Sequence, residues 1–259
     1  DKAGNRGTVH LVINNIDKTK PVFEDPQKTM ESDVTINVIE ENLDKILVTD
    51  KLTGETYEVE NGYVLTKEGY YKIIAYDKAG NQSDVWNLTI DNAAPVITIE
   101  NARENNYYNH DVKVNISDIE LNQTYLDGKR MGRTDALTVT EEGTHTVYAV
   151  DNYGHKSEEI TFTVDKTQPT ININNWVTLT KNVGDTYVDE GATATDNIDG
   201  DLTNKITVEY VYYDEQGIRY TPNPTEIKLD KPGQFVIIYK VTDQAGNKRE
   251  LSRRINVVG

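Results

Sequence analysis

Apolar and polar positions alternate along much of the chain. Trp86, Leu88 and Ile90 are separated by polar residues, and Ile160, Phe162 and Val164 repeat that pattern 74 residues later. Tyr71, Ile73 and Ala75 recur in the same register as His145, Val147 and Ala149. The same alternation runs through Val34, Ile36 and Val38, through Val112, Val114 and Ile116, and through Phe235, Ile237, Tyr239 and Val241. A period of two puts every second side chain on one face, so each run predicts a strand with one buried face. No stretch carries the 3.6-residue period of an amphipathic helix. Turn signals fall between the runs: "DKLTG" at 50–54, "DG" at 127–128 and "DEQG" at 214–217. Short strands separated by such turns about every 8–12 residues predict an all-β chain of sandwiches.

The strands belong to a repeat. "DKAGN" occupies residues 1–5 and again 77–81, with "DQAGN" at 243–247 and a worn copy, "DNYGH", at 151–155. "IDKTKP", "IDNAAP" and "VDKTQP" end at Pro21, Pro95 and Pro169, two steps of 74 residues. Self-similarity of this kind predicts tandem units, here 18–92, 93–167 and a longer third at 168–259. In each full unit the Asp-x-Ala-Gly-Asn turn joins the penultimate strand to the last. Residues 1–17 therefore read as the orphan last strand of a preceding repeat, with further repeats of the same kind as its partners. A lone strand is unstable, so residues 8–16 are expected either to be disordered or to add to a sheet edge. Short Pro-containing connections predict an elongated rod, because Pro fixes φ. Arg249, Arg253 and Arg254 on the last strand read as a guard against edge-to-edge pairing.

Composition narrows the function classes. The net charge of −16 argues against nucleic acid, whose phosphates attract a basic surface. No apolar run approaches the ~20 residues of a membrane-spanning helix, so no membrane insertion is expected. There is no cysteine, which sets the chain apart from disulfide-pinned immunoglobulin domains. Tyr outnumbers Phe 16 to 3, suiting half-exposed sheet faces.

The endings "DKAGNQSDVWNLTIDNAAP" and "DNYGHKSEEITFTVDKTQP" resemble those of bacterial Ig-like repeats in secreted and cell-surface proteins of Gram-positive bacteria. The third unit, with "GATATDNIDGDLTNKI" and "YKVTDQAGN", is similar to a second bacterial Ig-like family. The resemblance implies tandem Ig-like sandwiches outside the cell, secreted or attached to the wall. It also implies a non-catalytic stalk of a surface adhesin. The alternatives are an accessory region of a secreted glycoside hydrolase or toxin, and a module that binds host glycan or protein directly.

Candidate chemistry is sparse. Asp196, Asp199 and Asp201 crowd around Gly200, and with Asp243 they form a candidate calcium site, since hard cations take oxygen ligands. The repeat-turn acids Asp77, Asp151 and Asp243 form a second reading, supplemented by Asp17, Asp91 and Asp165 at the repeat ends. A solvated loop capped by Asp competes with both. The four histidines show no metal-ligand spacing, and no nucleophile or phosphate-binding motif is present, so no enzyme activity is expected. Tyr107 and Tyr108 in "NNYYNHD", and Tyr212 and Tyr213 in "EYVYYDEQG", are candidates for stacking on a ligand. Trp86 is expected in the core and Trp176 at a junction.

Overall fold

The computed structural model describes residues 2–10, 16–221 and 227–259. Beyond one short 3₁₀ turn, Thr203–Lys205, every regular element among them is a strand. The strands pair in three sets, each with one five-stranded sheet and one or two smaller ones. In the first set Thr29–Met30, Trp86–Ile90, Gly69–Asp77, Leu43–Asp50 and Thr56–Val59 lie side by side in that order. Val22–Phe23 with Val38–Ile39, and Val34–Ile36 with Tyr63–Leu65, complete it. One core joins them: Phe23, Val34, Ile36, Val38, Ile46, Val48, Tyr71, Ile73, Trp86, Leu88 and Ile90 are buried in a single cluster. The alternation expected for 86–90 appears directly as buried, exposed, buried. The described residues thus form an all-β chain of sandwiched sheets.

A short strand of two to four residues recurs in the same role. Thr29–Met30 runs parallel to Trp86–Ile90, and Tyr107–Tyr108 runs parallel to Ile160–Val164. Leu179–Asn182 pairs in the same way with the last strand, Lys248–Val258. This pairing corrects one expectation in full and another in part. Tyr107 and Tyr108 are not in a polar loop; they pair with Thr163 and Val164. Nor is the last strand an edge along its whole length. Its last residues, Ile255–Val258, lie between Leu179–Asn182 and Gly233–Thr242, while 248–254 pair only with Gly233–Thr242; within that stretch Arg253 is buried rather than standing guard at a rim. The Arg253 guanidinium donates to Tyr187 Oη and to the Asn174 carbonyl. Trp86 is buried, as expected, with its indole N–H given to the Gln27 carbonyl. Trp176 instead is 64 % exposed.

By compactness the chain divides into two units. The first is Asp1–Pro95 with the loops Ser117–Asn122 and Val150–Lys156, and the second is Val96–Ile116, Gln123–Ala149 and Ser157–Gly259. Of the expected orphan strand, residues 8–10 and 16 are exposed and belong to no described strand, and residues 11–15 lie outside the described residues. Among the described residues no helix is long and apolar enough to cross a membrane.

Candidate functional site

The Asp-x-Ala-Gly-Asn turn builds the site. In "DQAGN", Asp243 Oδ1 accepts the amides of Gly246 and Asn247 at 2.7 and 2.8 Å. Gly246 sits at φ 93°, a left-handed conformation that glycine adopts without strain. Asn247 Nδ2 then donates twice, to Asp243 Oδ2 at 2.9 Å and to the carbonyl of Asp165 at 2.8 Å. The turn is thereby tied to the residue that follows the preceding repeat's last strand, Ile160–Val164. Asn81 makes the same two bonds, to Asp77 Oδ2 at 2.7 Å and to the Asp17 carbonyl at 3.3 Å.

In the second unit this arrangement collects carboxylates. Asp165, Asp196 and Asp243 each bring an oxygen into a group whose members all lie within 4.8 Å of one another. Asp196 comes from the end of Ala192–Asp196, where its Oδ1 accepts the amides of Ile198 and Asp199. That turn points Oδ2 inward, buried and with no hydrogen-bond partner; Oδ2 of the fully buried Asp165 is also unpartnered. Burial, then the charges of Asp196 and Asp243, push the Asp165 carboxyl up to about 6. Three acids facing one another with orphaned oxygens is a costly arrangement unless a proton or a cation intervenes.

Asp196 and Asp243 from the "DNIDGDLTN" reading thus meet, and Asp165 from the repeat-end reading joins them. Asp199 and Asp201 point elsewhere. Asp199 accepts the amide and the side-chain nitrogen of Gln244 at 2.7 and 2.8 Å, bracing the turn from outside. Asp201 is held below the usual carboxylate range by hydrogen bonds from Thr203.

The first unit contains a related group made of Asp91, Asp151 and His155. Asp151 takes the turn position, accepting the amides of Tyr153 and His155 at 2.8 and 2.9 Å. His155 replaces the asparagine, and its Nδ1 lies 2.6 Å from Asp151 Oδ2, a contact that raises its pKa. Asp91 is fully buried with neither carboxylate oxygen partnered. Burial, then Asp118, Asp151 and Glu68, push it up to about 7. No metal-ligand spacing announced His155, because its ligand partners lie in strand ends and turns brought together only by the fold. The signal available was the departure of "DNYGH" from the repeat.

The aromatic candidates separate. Tyr108 is fully buried, edge-on to Phe162 with ring centroids 6.3 Å apart, so it offers no free face to a ligand. Tyr107 is half-buried, and its carbonyl accepts Arg103 Nη1. Tyr212 and Tyr213 are adjacent in Thr207–Asp214 and so face opposite sides of the sheet. Tyr212 and Tyr220, 6.4 Å apart, line a cleft of about 170 Å³ with Phe235 and Lys231. Tyr213 lies with Val236, Ile238 and Arg254 on the other face.

No family model matches the chain, and no curated protein matches it. Solved structures similar to it include the three N-terminal domains of the bacteriophage RB49 highly immunogenic outer capsid protein. They are 13 % identical over 92 % of this chain and 98 % of that one, with a TM-score of 0.45. The N-terminal eight Ig domains of Down syndrome cell adhesion molecule isoform 1.30.30 match at 14 % identity. That match covers 93 % of this chain and 37 % of that one, at a TM-score of 0.41. Domains 3–5 of Drosophila OTK match at 13 % identity over 90 % and 95 % of the two chains, with a TM-score of 0.37. At these identities and TM-scores the likenesses carry no argument about fold family or activity.

Proposed function

We propose that the chain is a non-catalytic spacer segment of a bacterial surface adhesin, stiffened by calcium where one repeat passes into the next. The observation that carries this reading is the Asp165–Asp196–Asp243 group, with its two buried, unpartnered oxygens. The donor set is all oxygen, which suits a hard cation. Asp165 directly follows Ile160–Val164, the last strand of one repeat, while Asp196 ends Ala192–Asp196 and Asp243 follows Gly233–Thr242 in the next. A cation there cross-links the two, adding to the Asn247 bond and limiting bending at that point. The cleft at Tyr212 and Tyr220 favours a second reading, in which a host glycan stacks on exposed tyrosine.

The resemblance of the repeat endings to Gram-positive surface proteins supports an extracellular location, secreted or wall-attached. Small-angle scattering with millimolar calcium and with chelator tests the spacer reading. Calcium is expected to narrow the distribution of long dimensions; identical curves would overturn the stiffening role. The full-length gene decides between a wall-sorting signal, expected for an adhesin, and a catalytic domain, expected for a secreted hydrolase. A glycan array tests the Tyr212 cleft.

A further inference from the structure

The groups at the two repeat ends differ in one ligand. Where Asn81 and Asn247 each present an amide, position 155 presents an imidazole. An asparagine holds both the turn acid and the preceding carbonyl. His155 keeps only the first of these bonds, to Asp151, and the preceding acid, Asp91, is left with two buried and unpartnered oxygens. The side chain of His155 is 32 % exposed, so the group can be reached from solvent, whereas Asp91 and Asp151 are closed off.

We propose that Asp91, Asp151 and His155 form a binding site for a borderline transition-metal cation of the Zn²⁺ class, chemically distinct from the all-oxygen group at Asp165. The proposal builds on the reading that carboxylates at the repeat ends hold cations, and adds which cation this one selects. Imidazole suits zinc and its neighbours, while calcium prefers oxygen alone. Ligand count points the same way. Three side chains and a water complete a tetrahedral zinc site, whereas calcium needs about six to eight oxygens. Asp151 Oδ1 is occupied by two turn amides, so Asp151 turns one oxygen, Oδ2, toward His155. On binding, the metal takes the place of the proton that now joins His155 Nδ1 to Asp151, and that proton leaves to solvent. Asp91 supplies the charge that has no other partner. The ion then ties the end of Trp86–Ile90 to the turn at 151–155, both within the first unit.

The experiment is titration of the whole chain with ZnCl₂ and, separately, with CaCl₂, followed by calorimetry and by the NMR signals of the His155 ring. Co²⁺ serves as a coloured stand-in for the coordination geometry. The informative variant is His155→Asn, because the repeat itself uses asparagine there and the turn should keep its shape. Zinc is expected to bind the native chain and the Asp165→Asn variant alike, and to bind His155→Asn at least about tenfold more weakly. Asp91→Asn should lose zinc in the same way. Zinc binding indifferent to His155→Asn, or absent from the native chain, would overturn the proposal. The calcium arm is read independently. A calcium response abolished by Asp165→Asn but kept in His155→Asn supports the spacer reading whether or not zinc binds.

Discussion

Asn247 donates one side-chain nitrogen to two acceptors, Asp243 Oδ2 at 2.9 Å and the Asp165 carbonyl at 2.8 Å. The single amide therefore closes its own turn and anchors it to the strand end before it. Replacing Asn247 with Ala removes both bonds and leaves a carboxylate oxygen of the buried Asp243 without that donor. Breaking a bond to a charged group costs about 1–3 kcal/mol. Urea denaturation of Asn247→Ala should show a loss of that size, and Asn81→Ala a similar one in the first unit.

Calcium bound only by the folded state must raise its stability by mass action. Extracellular calcium sites often have dissociation constants of ~10⁻⁴–10⁻³ M. Roughly 10 mM calcium then adds about 1.4–2.7 kcal/mol. Asp165→Asn should have the opposite effect in chelator and in calcium. It removes one of three facing charges, so the cation-free variant should melt no lower than the native chain, while its response to calcium disappears. A variant that still gains stability from calcium would move the site elsewhere.

The strands at Trp86–Ile90 and Ile160–Val164 were legible because one face of each is buried, and that burial imposes a period of two on the sequence. Tyr107–Tyr108 was not legible. Two residues are too few to show a period, and what pairs them is a parallel neighbour more than fifty positions away. Arg253 was misread for a related reason. Its strand reads as a charged edge, but its side chain turns inward to Tyr187 and the Asn174 carbonyl, partners that no local pattern announces. At the site, the repeat register names the turn acids Asp77, Asp151 and Asp243 and the repeat-end acids Asp17, Asp91 and Asp165 without pairing them; the fold brings Asp91 to Asp151 and Asp165 to Asp243. Asp196 was visible only as part of a dense acidic loop, and its separation from Asp199 and Asp201 depends on which turn amides each carboxylate accepts.

Phe162 is almost fully buried in the second strand set, against Tyr108 and with the His145 ring 5.9 Å away. Phe162→Ala leaves a cavity at the centre of that packing and should cost about 3–5 kcal/mol. Chemical denaturation followed by tyrosine fluorescence provides the measurement. A loss below about 1 kcal/mol would mean that the surrounding side chains collapse into the space.

The two acidic groups also set how stability depends on pH. Asp91 and Asp165 have their carboxyls raised to about 7 and about 6, against an ordinary value of 3.8. Between those limits the folded state holds more protons than the unfolded one, so stability must fall as pH rises through the window. His155, raised by Asp151, acts with the same sign: its stabilisation is complete below its unfolded pKa and is lost as pH climbs through the folded value. Asp50 and Asp127 oppose this at the acid end. Burial alone would push each up, but the Leu52 amide and Lys67 outweigh it for Asp50, and His145 and the Thr146 amide for Asp127. Their stabilisation is present above the ordinary carboxylate range and is lost as pH drops through their lowered folded values. In chelator, the melting temperature should therefore peak in mildly acid solution and decline toward pH 7. Asp91→Asn should flatten that decline, since Asp118, Asp151 and Glu68 would then face a neutral group. Adding the cation should flatten it too, because the metal replaces the protons. A chelated protein whose melting temperature climbs steadily to neutrality would show that the repeat ends hold no such protons.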